Sequence, residues 1–412
     1  MFFQLATKSL LNRKGSVSLT IIAMSVSIFV LLGVEHIRQQ TKENFQSTVS
    51  GVDLIVGART GSLNLLLYSV FRIGAPTNNV GWDSYTHVVS DPLVKWSIPI
   101  SLGDSHKGYR VVGTTQEYFT HFSYGARKRL EFESGEPFSK IFDVVLGSEV
   151  AEKLKYSIGT SVVLAHGLGK TSFSLHEDKP FRVVGILAPT GTPVDQSLQV
   201  SLLGMEAIHN NQRVTQTLRE TPININQIEF RQFQPKTITA FMLGLTSKIA
   251  SFKVQRKINN FSAEPLTAIL PGVALSELWQ MMKVIENTLR LVSVLILIAA
   301  LLGLSAMMLA SIRERRYEIY LLRVIGAPPI FLFLLIELEA LLVSMISIAI
   351  GTLALLTSLL VTNDLLASSY GLNINLDIIT KSNFTYICTI MITTMIAAAI
   401  PSFSAYKSAK VY

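Results

Sequence analysis

The sequence predicts a membrane α-helical protein with four transmembrane helices and a large extracytoplasmic α+β domain on helical stalks. Three observations carry this prediction. The 412-residue chain is 49% hydrophobic and only 16% charged, whereas soluble globular proteins carry about 25% charged residues. Four apolar windows reach the length of roughly 20 residues that a bilayer-crossing helix needs. Lysine and arginine flank these windows asymmetrically, which indicates a defined orientation in a membrane.

Ten segments follow from these windows in chain order. The first two thirds of the chain should contain a cytoplasmic amphipathic helix at 1–14, a first span at 15–34, and an extracytoplasmic domain with the first stalk at 35–274. A second stalk helix at 275–290, a second span at 291–310 and a charged cytoplasmic helix at 311–327 follow. The chain should end with a third span at 329–361, a short outer loop at 362–382, a fourth span at 383–405 and a cytoplasmic tail at 406–412.

The positive charges orient the spans, because cytoplasmic loops carry an excess of lysine and arginine. Basic residues precede the first span, lie between the second and third, and follow the fourth: Lys8, Arg13, Lys14, Arg313, Arg315, Arg316, Arg323, Lys407 and Lys410. The loop between the third and fourth spans has Asp364, Asp377 and a single Lys381. Both termini are therefore expected in the cytoplasm and the large domain outside. This topology accounts for much of the net charge of +8, so no nucleic-acid partner is predicted.

The first span is expected to be retained rather than cleaved as a signal peptide. A signal peptide has an apolar region of about 7–15 residues and a small-residue cleavage site, whereas this run is longer and exits through "GVEHIRQQ". The residues before it place Phe2, Leu5, Leu10 and Leu11 on an approximate helical face. That pattern fits a helix lying on the inner leaflet, and it fits an ordinary positively charged flank equally well.

The second stalk carries an apolar seam of the coiled-coil type. At spacings of 3, 4, 3 and 4 residues, the seam consists of Leu275, Leu278, Met282, Ile285 and Leu289, and it continues into the second span. A weaker seam of Ile37, Thr41 and Phe45 follows the first span. The pattern predicts two helical stalks that carry the outer domain, and two amphipathic helices packed on the domain base are the alternative.

Short β-branched runs bounded by glycine, aspartate or serine predict the strands of the outer domain. They are "VDLIVGA", "KWSIPISL", "GYRVVGTT", "DVVLGS", "SVVLAHG", "TSFSLHE" and "FRVVGIL". A short helix is expected at "SEVAEKLKY", opened by Ser148. Strand–helix units are expected from "SLQVSLLGMEAIHNNQ" and from the segment that begins "INQIEFRQFQ". The order of these elements predicts two lobes, one inserted within the other, without fixing the boundary between them.

The sequence offers no catalytic, cofactor-binding or metal site. Gly169-Lys170-Thr171 resembles the end of a phosphate-binding P-loop, but Leu164 stands where the consensus needs glycine. The following residues alternate like a strand rather than a helix, so a glycine-rich hairpin turn is expected. The seven histidines are scattered without metal-ligand spacing. The single cysteine, Cys388, excludes an intramolecular disulfide.

The charged helix "SIRERRYEIYLLRVIGA" separates two long apolar runs. It mixes Glu314 and Glu318 with the arginines, and Gly326 followed by Pro328-Pro329 ends it. A segment that only anchors the spans by positive charge does not need acidic residues. The mixture therefore favours a surface on which a cytoplasmic partner acts, and the anchor is the alternative.

The segment "SIRERRYEIYLLRVIGAPPIFLFLLIELEALLVSMISIAIG" resembles the permease core of the FtsX-like ABC transporters, which include the MacB and LolC/LolE types. The outer segments "EFESGEPFSKIFDVVLGSEVAEKLKYSIGTSVVL" and "FRVVGILAPTGTPVDQSLQVSLLGMEAI" are similar to the extracytoplasmic domain of that family, and "IPSFSAYKSAK" is similar to its closing segment. The resemblance covers nearly the whole chain. The stretch "GVDLIVGARTGSLNLLLYSVFRIGAPTNNV" lies outside it.

The resemblance implies a type VII permease that works by mechanotransmission in a bacterial inner membrane, with its large domain in the periplasm. It implies that the ATPase-coupling helix contains Arg313, Glu314, Arg315, Arg316, Glu318, Arg323 and Gly326. No Walker A sequence stands in the cytoplasmic segments, so ATP and magnesium are expected on a separate ATPase in two copies. Four spans are half a transporter, which implies a second permease protomer, identical or different. A periplasmic adaptor or substrate-binding protein is a further partner class.

Export, or the handling of a lipoprotein or another envelope substrate, is the expected work. The alternatives are a signalling subunit that activates a cell-wall hydrolase or a sensor kinase, and an accessory role in metal homeostasis. An acidic residue within a span is a candidate relay or ion site. Glu35, Glu337 and Glu339 lie at the ends of the predicted spans, so solvation at the membrane interface is expected for them instead.

Overall fold

The computed structural model describes residues 2–167, 179–209, 235–314, 317, 321, 324–370 and 381–411. The chain divides into two compact units. The membrane unit comprises Met1–Thr41, Met282–Leu366 and Ile374–Tyr412. The outer unit comprises Lys42–Met281 and Ala367–Asn373.

The described helices are numbered in chain order. They are α1 (Phe2–Asn12), α2 (Lys14–Ser47), α3 (Ser62–Ser69), α4 (Trp82–Val89), α5 (Glu117–His121), α6 (Ser148–Leu154), α7 (Leu202–His209), α8 (Ala250–Asn259), α9 (Pro271–Glu314), α10 (Pro329–Tyr370) and α11 (Lys381–Val411). The described strands are β1 (Leu54–Ala58), β2 (Val80–Gly81), β3 (Val94–His106), β4 (Tyr109–Thr114), β5 (Ser123–Tyr124), β6 (Lys128–Arg129), β7 (Phe132–Gly135), β8 (Asp143–Leu146), β9 (Ser161–Val162), β10 (Ala165–His166), β11 (Phe181–Leu187), β12 (Ser197–Ser201), β13 (Thr237–Ile238), β14 (Ala240–Leu245) and β15 (Leu266–Ile269).

Four of these helices are long and apolar enough to cross a membrane. The candidate spans are Lys14–Gln40 in α2, Pro271–Glu314 in α9, Pro329–Thr362 in α10 and Asn383–Lys407 in α11. The large α/β unit stands between the first and the second of them, so the predicted fold class is confirmed. The helix α9 is one element through the predicted second stalk and second span, and it runs on to Glu314.

The helices of the membrane unit pack through small and apolar residues. At Gly351 of α10, a Cβ atom would lie 2.9 Å from the carbonyl oxygen of Ser25 and 3.1 Å from Ile28, both in α2. Glycine permits this contact because it has no side chain to separate the two backbones. On either side of it the helices bury two apolar clusters, one around Met24 and one around Leu355.

An 11-stranded sheet forms the centre of the outer unit. The strand order is β15-β1-β14-β3-β4-β12-β8-β11-β7, with β10 paired to β3 and β9 paired to β11. The long strand β3 joins two halves, because its first part pairs with β14 and its second part pairs with β4. The chain from β4 to α7 therefore forms a lobe inserted within the first lobe, in the arrangement that the sequence predicts.

The strands β1 and β15, the first and the last of this sheet in chain order, lie side by side. Val56 in β1 lies opposite Ala268 in β15, in an antiparallel pair. One apolar cluster contains residues of both lobes, including Ile55, Val145 and Leu187, so the lobes share a core. The predicted strand "TSFSLHE", the predicted hairpin turn at Gly169-Lys170-Thr171 and the segment "INQIEFRQF" lie outside the described residues.

Candidate functional site

The outer end of α9 begins within the core of the outer unit. Ala274 and Leu275 are buried in the cluster that also contains Leu66 and Tyr68 of that unit. Ser62 Oγ, at the start of α3, donates a hydrogen bond to the carboxylate of Glu277. Protein interiors are close-packed, so a displacement of the first turns of α9 has to displace these core side chains as well.

The predicted seam residues differ in their burial. Leu275 is buried and Leu278 is half-buried, whereas Met282, Ile285 and Leu289 are exposed by 36%, 53% and 48%. Of the weaker seam on the first stalk, Ile37 is exposed, and the side chains of Thr41 and Phe45 lie outside the described set. In the single chain, the stalk part of α9 therefore presents uncovered apolar side chains.

Charged residues join the two stalk helices where the predicted spans end. Arg38 in α2 contacts Glu35 Oε1 of its own helix at 2.5 Å and Glu286 Oε2 of α9 at 3.5 Å. Arg290 Nη2 lies 3.7 Å from Glu35 Oε2 and donates a 3.5 Å hydrogen bond to the hydroxyl of Tyr386 in α11. This network connects α2, α9 and α11.

Sequence reasoning did not single out this network, because its ion pairs between α2 and α9 join residues about 250 positions apart in the chain. The local signal was present as two opposite-charge pairs at helical spacing, Glu35 with Arg38 and Glu286 with Arg290. The first pair directly follows the first apolar run, and the second pair directly precedes the second apolar run. Such pairs indicate where two stalk helices can contact each other, but they do not identify the charged residues on the other helix.

The inner end of α9 exposes its charged residues. Of the predicted coupling residues, Arg313 and Glu314 are exposed and Gly326 is described, whereas Arg315, Arg316, Glu318 and Arg323 lie outside the described residues. The remaining described side chains before Gly326 are exposed by 41–83% and comprise Tyr317, Leu321, Val324 and Ile325. Gly326 has φ +98°, a left-handed conformation that suits glycine at the end of a helix. Aromatic and apolar side chains exposed beside charged ones are typical of a docking surface.

All three span-end carboxylates are buried, so the expected solvation at the membrane interface is wrong for them, and two of them are paired. Glu339 is 3% exposed, accepts a hydrogen bond from Ser9 Oγ, and lies 3.3 Å from Arg13 Nη2. Glu35 is 6% exposed and belongs to the stalk network. Glu337 is also buried, at 9%, and its carboxylate has no hydrogen-bond partner among the described residues. Burial favours pairing because water no longer stabilises the charges.

Replacing Arg13 by methionine is expected to destabilise the membrane unit, because Glu339 would lose its buried countercharge. Breaking such a pair from one side costs about 3 kcal/mol. The thermal unfolding midpoint of the purified protein in detergent should fall. Lys14→Met, at the exposed neighbouring position, is the matched control and should change little. The double variant Arg13→Met, Glu339→Met should recover part of the loss, and equal effects of Arg13→Met and Lys14→Met would contradict the role of the pair.

Two family profiles match the chain in succession. The MacB-like periplasmic core domain matches residues 17–260, which is more than half of the chain, and the FtsX-like permease C-terminal matches residues 290–410. The chain belongs to the FtsX/MacB-type family of ABC transporter permeases. In this permease the first match contains most of α2 and of the outer unit, and the second contains the inner part of α9 with α10 and α11.

Two solved structures resemble part of this permease. The periplasmic region of MacB from Actinobacillus actinomycetemcomitans is 9% identical, with coverage of 56% of this chain and 94% of its own, and a TM-score of 0.35. The extracellular domain of the noncanonic ABC-type transporter YknZ from Gram-positive bacteria is 12% identical, with coverage of 53% and 98% and a TM-score of 0.30. The family assignment rests on the two profiles. A search of curated protein sequences finds no match.

Proposed function

We propose that this permease is the transmembrane subunit of an ABC transporter that turns cytoplasmic ATP hydrolysis into mechanical work outside a bacterial inner membrane. Two copies of a separate ATPase hold ATP and magnesium and bind the segment 311–327 of two permease protomers. Both termini lie in the cytoplasm. When the ATPases close, they move α9, and α9 moves the outer unit. The work is export or the handling of a lipoprotein or another envelope substrate, which need not pass between the spans.

The observation that supports this mechanism is the single helix α9. Its 44 residues begin among buried core side chains of the outer unit and end at the exposed Arg313 and Glu314. A helix of this length measures about 66 Å, and no proline follows Pro271 within it. Because sharp helix bends need a proline, a π-bulge or a comparable disruption, α9 can deliver a displacement along its axis. A segment that only anchored the protein by positive charge would not need this continuity.

The uncovered apolar face of the stalk supports a second protomer. Met282, Ile285 and Leu289 lie on one side of α9 and are exposed in the single chain. Their 3-and-4 spacing is the pattern that two helices cover by mutual packing. A symmetric pair would bury the same residues on both chains, and a different permease chain with a similar seam would cover them too.

The proposal is tested by the distance between the two stalks with and without ATP. Cys388 is the single cysteine, so a Cys388→Ser, Lys283→Cys variant takes one spin label per protomer at an exposed stalk position. In the complex purified with its ATPase, ATP with vanadate is expected to shift the interspin distance. The interspin distance is also measured in a complex with a hydrolysis-deficient ATPase, without nucleotide and with ATP. A shift in that complex is caused by ATP binding, because no hydrolysis takes place. A distance that stays constant through ATP binding and hydrolysis would exclude mechanotransmission and leave a conduit through the spans.

A further inference from the structure

An arginine is buried in the outer unit, and none of the described carboxylates pairs with it. Arg72, just after α3, is 8% exposed, and its guanidinium donates a hydrogen bond to the carbonyl oxygen of Ser69. Across the described parts of the chain, no ion pair includes Arg72. A guanidinium stays charged in a protein and has five N–H donors. An uncompensated buried charge is unfavourable, so this position calls for a countercharge.

The hydroxyl of Tyr118 lies beside this guanidinium. Tyr118 in α5 is fully buried, and its hydroxyl lies close enough to the Arg72 guanidinium to interact with it as a hydrogen-bond acceptor; among the described atoms nothing accepts a hydrogen bond from that hydroxyl. Burial raises the pKa of Tyr118 above its ordinary value near 10. The phenol is therefore protonated at neutral pH, so its O–H can donate a hydrogen bond and it does not supply the countercharge.

A second guanidinium adds positive charge to the same place. Arg110 in β4 is half-buried, and burial together with the nearby charge of Arg72 lowers the pKa of Arg110. Its Nη2 donates a 2.6 Å hydrogen bond to the carbonyl oxygen of Gly74, two residues after Arg72. Within the described residues Arg110 has no ion pair either. Two guanidiniums that repel each other, with neither paired to a carboxylate of the described residues, attract an anion.

Asp195 lies near enough for its charge to act on Tyr118, but its carboxylate oxygens are hydrogen-bonded to other groups. Asp195 raises the pKa of Tyr118 through its charge, but its oxygens accept hydrogen bonds from the backbone N–H groups of Thr190, at 2.9 Å and 3.0 Å, and of Gly191, at 2.7 Å. It thereby holds its own loop together. Asp195 therefore does not pair with either guanidinium.

We propose that Arg72, Arg110 and Tyr118 bind a phosphate-type oxyanion that enters at the exposed turn of Ile73 and Gly74. The donors come from three separate elements, and a phosphate offers them more acceptor oxygens and more negative charge than a carboxylate does. Ile73 is 54% exposed and Gly74 is exposed, and the Gly74 carbonyl oxygen accepts the hydrogen bond from Arg110, so this turn is the solvent-facing side of the proposed site. A free phosphate and the headgroup of a phospholipid share this chemistry. The site does not depend on the stalk mechanism.

The test uses the full-length permease in detergent at constant ionic strength. Calorimetric titration with inorganic phosphate, glycerol phosphate and acetate gives the affinities, and thermal unfolding gives a second measurement. Both phosphates are expected to bind and to raise the unfolding midpoint, and acetate is expected to bind at least about tenfold more weakly. Tighter binding of glycerol phosphate than of inorganic phosphate assigns the site to a headgroup, and equal binding assigns it to free phosphate.

Arg110→Gln is the decisive variant, because it removes a half-buried guanidinium and leaves the buried Arg72 in place. It is expected to weaken phosphate binding about tenfold or more, as the loss of a charge-assisted contact. Arg256→Gln, at an exposed position of α8, is the matched control and should leave the affinity unchanged. Absence of phosphate binding to the unmodified protein, equal losses in the two variants, or equal affinity for acetate would each overturn the proposal.

Discussion

Alanine at both Met282 and Ile285 is expected to separate ATP hydrolysis from movement of the stalks. Each side chain contributes about 2–5 kcal/mol when it is fully packed between two helices, and the two lie one turn apart on the seam. Their truncation removes the packing contact that is proposed to couple the separation of the two stalks to ATP binding. The complex should still assemble through its membrane helices and still hydrolyse ATP. The ATP-dependent shift in interspin distance should be lost.

The neighbouring pair Met281 and Val284 provides the matched control. These residues are exposed by 63% and 70% and lie on the same stalk but off the predicted seam. The double variant Met281→Ala, Val284→Ala removes a similar apolar volume, so it should preserve the distance shift. If the control pair rather than the seam pair abolished the shift, the stalks would pair through a different face. If neither did, the stalk would not transmit the movement.

A cross-link gives a second measurement of the same prediction. In the Cys388→Ser background, Ile285→Cys on two symmetric stalks should form a disulfide where the Cα atoms come within about 7 Å. Oxidation is then expected to stop the distance shift, and reductant should restore it. Normal movement in the oxidised complex would contradict a mechanism that requires the stalks to separate.

Reversal of Glu314 and Glu318 to lysine is expected to detach or uncouple the ATPase. Charge-assisted contacts in a partly buried interface contribute about 1–3 kcal/mol each, so two reversals should lower the affinity about 30-fold or more. Glu314 is exposed at the end of α9, so its replacement does not disturb a core. Co-purification of the ATPase and ATP hydrolysis by the recovered complex are the measurements.

A charge reversal elsewhere on the proposed cytoplasmic face controls for bulk electrostatics. Lys407→Glu, at an exposed position of α11, changes the net charge without touching the segment 311–327. It should leave the complex intact. If the glutamate reversals left assembly, hydrolysis and stalk movement unchanged, the segment would serve only to anchor the spans.

The sequence predicted most of the architecture because its signals are local. Apolar windows of sufficient length identify membrane helices, and the β-branched runs "DVVLGS" and "FRVVGIL" became β8 and β11. The short helix α3, "SLNLLLYS", gave no such signal, because its leucines follow one another and show no helical period. Its packing in the core decides its conformation.

The contacts that matter for function were beyond local patterns. Arg13 and Glu339 meet across 326 positions, and the spacing of charges near each of them does not indicate the other. Arg72 stood in the stretch that the motif resemblance left out, although the MacB-like periplasmic core profile spans it, and a lone arginine there resembles any surface cation. Only its burial beside Tyr118 distinguishes it, and burial depends on the tertiary structure.

The adjacency of β1 and β15 has a consequence for how such permeases diversify. The chain enters the sheet of the outer unit at Leu54 and leaves it at Ile269, on strands that pair with each other. Domains whose ends lie close together are readily inserted into, or removed from, a host chain. The outer unit thus has the geometry of an exchangeable cassette. Evolution can replace it, or a protein engineer can transplant it, while the membrane helices and the segment 311–327, which is proposed to bind the ATPase, keep their sequence.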